Sequence, residues 1–156
     1  MTSGDQVREV FRRYPVGVAV AAVDVRGTRL GLTVSSLASL ALDPPLVGIS
    51  IAWQAAFHEL LRDAGGFAVS LLAADQVSLA RHFARGVPPI AMWEGIETRQ
   101  GERGPLLEGA VGWLECSLGG ELPAGDHTLF VGQVERAEAG ADKAPLLRLW
   151  GDYRPA

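Results

Sequence analysis

The sequence predicts a mainly β protein, a small antiparallel barrel with short α-helices flanking it. Six segments of six or more residues carry strand signals, the helical segments between them are short, and no regular alternation of strand and helix appears. At 156 residues the chain has one domain's length, read here as a single domain over 1–156.

Each element follows from a local pattern. Ser3 with Gln6 forms a capping box, and Val7, Val10, Phe11 and Tyr14 recur at helical spacing until Pro15. This first helix is expected to pack its apolar stripe against the barrel. Residues 16–25 are nearly all Val, Ala and Gly, a strand buried on both faces. Asp24-Val25-Arg26-Gly27 supplies a turn, and 28–34 returns as a hairpin partner. The alternation then breaks into Ser35, Ser36 and Ser39, a turn or helix that Asp43-Pro44-Pro45 stops. Residues 46–52 restart as a buried strand. Phe57, Leu60, Leu61 and Ala64 line one face of a helix that ends at Gly65-Gly66, with His58 on its surface.

Residues 67–72 form the next strand. Asp75 caps a helix running to Arg85, with Gly86 and Pro88 ending it. Residues 87–104 hold three glycines and two prolines with little periodicity, which predicts a long surface excursion anchored by Met92 and Trp93. Residues 107–118 and 128–137 read as long strands joined by the 119–127 connection, and 146–150 as a last short strand.

Composition removes several classes of function. A net charge of −4 without a Lys/Arg block argues against nucleic-acid binding. No apolar run is long enough to cross a membrane, and no signal pattern opens the chain. The single cysteine, Cys116, has no intrachain partner, which fits a reducing, cytoplasmic compartment. Dinucleotide, P-loop and nucleophile-elbow motifs are absent. His58, His82 and His127 stand far apart without metal spacing, so no metal site is expected. Asp126 and His127 are neighbours in one turn, a poor geometry for a hydrolase relay.

What chemistry the sequence offers is concentrated at 31–50. A strand ending in Thr33-Val34-Ser35-Ser36 presents N–H groups and hydroxyls on one rim, suited to a polar, planar or phosphorylated ligand. A capped turn between two core strands is the alternative reading.

The larger pattern is more specific. Gly31-Leu32-Thr33-Val34-Ser35-Ser36 is followed by Asp43-Pro44-Pro45-Leu46, then by Phe67-Ala68-Val69-Ser70-Leu71-Leu72. Gln76, Ala80 and Phe83-Ala84 come next, then Gly125-Asp126-His127, Phe130-Val131-Gly132, and Pro145-Leu146-Leu147 with Gly151 and Tyr153. In this order, and over nearly the whole chain, the sequence resembles the flavin reductase-like family, the FMN-binding split-barrel reductases of two-component monooxygenases.

The resemblance implies a six-stranded antiparallel Greek-key split β-barrel that pairs as a homodimer. It implies binding of FMN or FAD, NADH or NADPH as co-substrate, and hydride transfer from nicotinamide to flavin N5 for a flavin-dependent monooxygenase partner. It assigns Thr33, Val34, Ser35 and Ser36 to the flavin rim. Ser50, Ile51, Ala52 and Trp53 fall on the strand that runs past the flavin, although Trp53 also reads as a core or interface anchor. Ala56 and Phe57 fall in the phosphate loop. There Ala55-Ala56-Phe57 stands where relatives often carry a Ser-x-Thr pair, which predicts weakened phosphate binding.

Phe83 and Arg85 lie where relatives approach the cofactor, with a solvent-facing helix-end arginine as the other reading of Arg85. His127, held through one ring nitrogen by Asp126, is the expected catalytic residue beside the nicotinamide; a solvated turn histidine is its alternative. A flavin-binding redox module without NAD(P)H turnover, or a dimeric barrel acting as an interaction protein, remain the other functional readings. A quiet set of side chains suits a flavin enzyme, because the cofactor supplies the electronics and the protein supplies position.

Overall fold

The computed structural model describes Met1–Ala156. In chain order the elements are α1 (Gly4–Phe11), β1 (Val16–Gly17), β2 (Ala19–Val25), β3 (Thr28–Val34), β4 (Ala38–Leu42), β5 (Pro45–Ala52), α2 (Ala56–Ala64) and β6 (Gly66–Leu71). A 3-10 turn at Ala74–Gln76 leads into α3 (Val77–Ala84) and α4 (Pro89–Met92). The rest is β7 (Thr98–Gln100), β8 (Pro105–Leu107), β9 (Gly112–Ala124), β10 (His127–Ala139), β11 (Leu146–Leu149) and β12 (Asp152–Pro155).

Seven antiparallel strands form the main sheet in the order β3-β2-β6-β9-β10-β5-β4. The sheet curls around one apolar cluster that includes Val20, Val34, Ile51, Phe67, Val69 and Phe130. Its end strands β3 and β4 do not pair with each other, so the barrel is split between them. Ser36 bridges this gap: its hydroxyl accepts the Ser50 N–H at 2.9 Å and lies 3.2 Å from the Ser50 carbonyl.

The seventh strand corrects the expected six. Residues 38–42 look like a turn, but they pair with β5 across a register shift at Ser39/Ala41, leaving Leu40 and Leu42 outward. The 16–25 segment also divides. Val18 donates its N–H to Leu146 and its carbonyl accepts from Leu72, so β1 joins β11 and β12 in a small second sheet while β2 stays in the main one. Between 107 and 118 the chain breaks at Leu107, and β9 then continues through the expected 119–127 connection to Ala124. Gly125, at φ +62°, closes its hairpin with β10. The 87–104 excursion contains α4 and β7, and β12 had no separate signal.

Helix ends follow the chemistry only in part. At α1 the capping box forms, with Ser3 and Gln6 exchanging bonds of 2.9 and 3.3 Å. Gly65, at φ +67°, caps α2. Asp75 lies inside the 3-10 turn and does not cap α3; Gln76 reaches back to the Ala73 N–H instead.

Packing against β3 depends on Gly31, where a Cβ would come within 2.7 Å of Phe83. That opening lets Phe83 and Trp93 pack at 4.9 Å between ring centroids, with Met92 buried beside them. Met92 and Trp93 therefore anchor the 87–104 excursion to β3, as expected.

Two further expectations change. The α1 stripe does not pack on the barrel: Val7, Val10, Phe11 and Tyr14 are all exposed. His58 is not a surface residue but 3 % exposed, because α2 rolls it onto the sheet edge-on to Phe130. Cys116 is buried and free, and burial pushes its thiol up to about 12, so it carries no thiolate chemistry.

Candidate functional site

The largest cleft, about 980 Å³, opens where the β3–β4 connection, the end of β5 and the β9–β10 hairpin meet α1 and the β1–β11 sheet. Register explains the meeting. β10 runs against β5 so that His127 lies opposite Ala52 and Thr128 opposite Ile51. β2 and β3 pair Val20 with Thr33 and Ala19 with Val34, which brings the Ser35-Ser36 end of β3 to the same rim.

Eight of the expected residues line this cleft: Thr33, Val34, Ser35, Ser36, Ser50, Ile51, Ala52 and His127. Their polar atoms are not equivalent. The Thr33 hydroxyl is committed to the Ala80 carbonyl at 2.6 Å, pinning β3 to α3. The Ser36 hydroxyl is committed to Ser50. The hydroxyls of Ser35 and Ser50 have no partner in the chain. The N–H groups of Ser35, Ser36 and Leu37, between β3 and β4, meet no backbone acceptor. These open donors and hydroxyls are what a planar, multiply accepting ring system requires.

Asp126 accepts from Nδ1 of His127 at 2.7 Å, and this hydrogen bond holds the carboxyl below its usual range. The bond fixes the ring and leaves Nε2 without a partner at the mouth of the cleft.

Five expected residues lie outside the lining. Phe57 is 3 % exposed and faces the core beneath α2, so its position cannot offer a hydroxyl to a phosphate. Phe83 is buried on the far side of β3, held by Gly31. Arg85 is the exposed C-cap of α3, and Ala56 opens α2 beside the cleft. Ala55 does reach the lining. It is an N-cap in extended geometry with no side chain to bond the first turn, so α2 starts with open N–H groups.

Trp53 is 53 % exposed at the rim, with its indole donating to Thr128 Oγ1 at 3.1 Å and its N–H to the Asp126 carbonyl at 3.0 Å.

Behind this rim is a buried polar chain that the sequence reading missed. His58 Nε2 lies 2.7 Å from Thr128 Oγ1, and His58 Nδ1 lies 3.0 Å from Glu59. Its signal was available: Thr128 shares the inward face of β10 with Phe130 and Gly132, and a polar side chain there needs a partner. Phe11, Tyr14 and Pro145 also line the cleft unannounced, since they come from segments without polar motifs.

A flavin fits the cleft's donor set. No group of His, Cys, Asp and Glu able to hold a metal ion is present, and no helix is long and apolar enough to cross a membrane.

Comparison with known proteins follows the same line. The family model described as "Flavin reductase like domain" matches residues 11–156. The chain is 38 % identical over 153 residues to an NADH-dependent FAD reductase of Streptomyces globisporus, covering 96 % of this chain and 84 % of that one. It is 36 % identical over 147 residues to the reductase component of 4-hydroxyphenylacetate 3-monooxygenase of Thermus thermophilus, covering 94 % and 93 %. Among solved structures, NADH:FAD oxidoreductase SgcE6 of Streptomyces globisporus C-1027, in complex with NAD and FAD fragments, superposes with a TM-score of 0.91. The identity there is 36 %, with 96 % of this chain and 90 % of that one covered. The family model spans nearly the whole chain and these relatives share more than a third of its residues over most of their own length; the chain belongs to the flavin reductase-like family.

Proposed function

We propose that this protein is an NAD(P)H-dependent flavin reductase that binds FMN or FAD in the cleft and reduces it with NADH or NADPH. The reduced flavin then passes to a flavin-dependent monooxygenase component. One observation carries the reading: the β3–β4 connection with its open donors and His127 with its free Nε2 line a single cleft of about 980 Å³ in a chain of this family. The size lies at the upper end of the range for small-molecule sites, about 300–1,000 Å³, leaving room for two stacked ring systems.

Bound flavin supplies the two-electron acceptor, and the chain supplies position. Ser35, Ser36 and Leu37 would hold the ring through their open backbone N–H groups. Apolar Val34, Ile51 and Leu146 in the lining would exclude water around it. His127, fixed by Asp126, orients the nicotinamide carboxamide through Nε2. Ala55 leaves only backbone N–H groups for a phosphate at the start of α2, so flavin binds weakly and leaves after reduction.

Pairing as a homodimer is part of the proposal. It is supported by Leu40 and Leu42, exposed on the edge strand β4. Dependence on a diffusible nicotinamide nucleotide suits a cytoplasmic enzyme. The test is NADH and NADPH oxidation by the purified protein with and without added FMN or FAD. Turnover that requires added flavin is expected; flavin binding without turnover would leave a redox module in its place.

A further inference from the structure

No lysine, arginine, aspartate or glutamate lines the cleft, although every nucleotide it is proposed to take carries phosphates. Basic side chains gather directly beside it. A second groove of about 500 Å³ runs between α1 and the β11–β12 hairpin, and shares Phe11, Tyr14, Val16 and Ser35 with the cleft. Arg8, Arg12 and Arg148 line it, and no acidic residue does, in a chain whose net charge is −4.

Two of these arginines have partners that leave donors free. Arg8 meets exposed Asp5 at 2.8 Å; Arg12 meets Glu9 at 3.5 Å and the Trp150 carbonyl at 3.2 Å. Arg148 has no ion pair or hydrogen-bond partner for its guanidinium, only the Tyr153 ring at 6.0 Å. Aromatic faces complete the groove. Phe11 and Tyr14 are each 62 % exposed, and Trp150, 42 % exposed, sits in a positive-φ turn whose backbone N–H bonds the Arg12 carbonyl. Arg13 covers one face of the Trp150 ring at 4.7 Å.

Guanidinium groups bind phosphate oxygens through paired N–H donors, and exposed aromatic rings stack on a purine. We propose that this groove binds the adenylate half of a dinucleotide whose reactive ring occupies the adjoining cleft. The inference rests on the reading of that cleft as the flavin and nicotinamide site. FAD and the nicotinamide dinucleotides share this chemistry, and the experiment separates them.

The probe is ADP, which has neither reactive ring, titrated by calorimetry into the wild-type protein and into the Arg8→Gln/Arg148→Gln double variant. Both side chains are exposed, and the Arg8–Asp5 pair contributes little to stability. ADP affinity should fall about tenfold or more, the loss expected when charge-assisted bonds to phosphate are removed. A matching fall in FAD but not FMN affinity identifies the flavin's adenylate as the occupant. A rise in the KM for NADH with FMN as acceptor identifies the nicotinamide dinucleotide.

Intact flavin reduction with unchanged ADP affinity, FAD/FMN ratio and KM would overturn the groove assignment alone. ADP binding that is lost in the variant, in a wild-type protein that reduces no flavin, would support the groove and remove the reductase reading.

Discussion

Thr128→Val tests whether the buried chain behind the cleft rim is needed for the fold. Valine keeps the shape of threonine and removes one hydroxyl. That hydroxyl meets His58 Nε2 at 2.7 Å and accepts the Trp53 indole N–H at 3.1 Å. Trp53 is half in solvent, and water can replace its acceptor at little cost. His58 is 3 % exposed, so its ring nitrogen would lose a partner where water does not reach. Leaving one buried polar group unpaired costs about 1–3 kcal/mol. A central value of about 2 kcal/mol corresponds to roughly 4–8 °C in Tm for a domain of this size. Urea unfolding followed by tryptophan fluorescence measures the loss, with Thr128→Ser as the control that retains the hydroxyl. A valine variant within about 0.5 kcal/mol of wild type would refute the reasoning, since that is the spread of an ordinary surface substitution.

Three further outcomes follow from the site and its surroundings. His127→Ala should lower the rate of NADH-dependent flavin reduction about 10²-fold or more while flavin affinity stays within a few-fold, because the residue is assigned to the nicotinamide; unchanged turnover and unchanged single-turnover reduction would remove it from the site. Ala55→Ser places a hydroxyl on an N-cap already in extended geometry, so α2 should gain about 0.5–2 kcal/mol in urea unfolding, and FMN should bind more tightly in calorimetry. Acid should destabilise the protein through Glu135, whose carboxyl is held below its usual range by its bidentate bond from Arg103. A depressed carboxylate contributes stability above the ordinary carboxyl pKa of about 4, and that contribution is lost as pH falls through the depressed value. The urea midpoint should therefore fall less between about pH 5 and pH 3 in Arg103→Gln than in wild type.

Most of the barrel was legible because its strands alternate or run continuously apolar. β4 was hidden by its own chemistry. Serines and an Asp-Pro-Pro segment read as a turn, while its pairing with β5 depends on a distant partner that no local pattern reveals. Along the site, the Thr33–Ser36 motif lies in the cleft lining, but its hydroxyls are not equivalent atom by atom. Which hydroxyls stay open was decided by Ala80 and Ser50, residues far off in sequence. Phe57 and Phe83 were placed at the cofactor by the family resemblance, yet their side chains turn into the core. His58 looked like a surface residue because one helix face was drawn from Phe57, Leu60, Leu61 and Ala64. The buried arc of α2 is wider than that stripe, and includes His58 next to Phe57. Nothing in α1 distinguished a stripe that packs inward from one left exposed beside a cleft.

The most direct test of the central claim is anaerobic rapid mixing of NADH with the protein–flavin complex, following the flavin absorbance. Bleaching of the oxidised flavin band should be far faster than with free flavin, slow when the transferred hydrogen is deuterium, and slow in His127→Ala. Oxidised flavin that persists on the protein in the presence of saturating NADH would contradict the account.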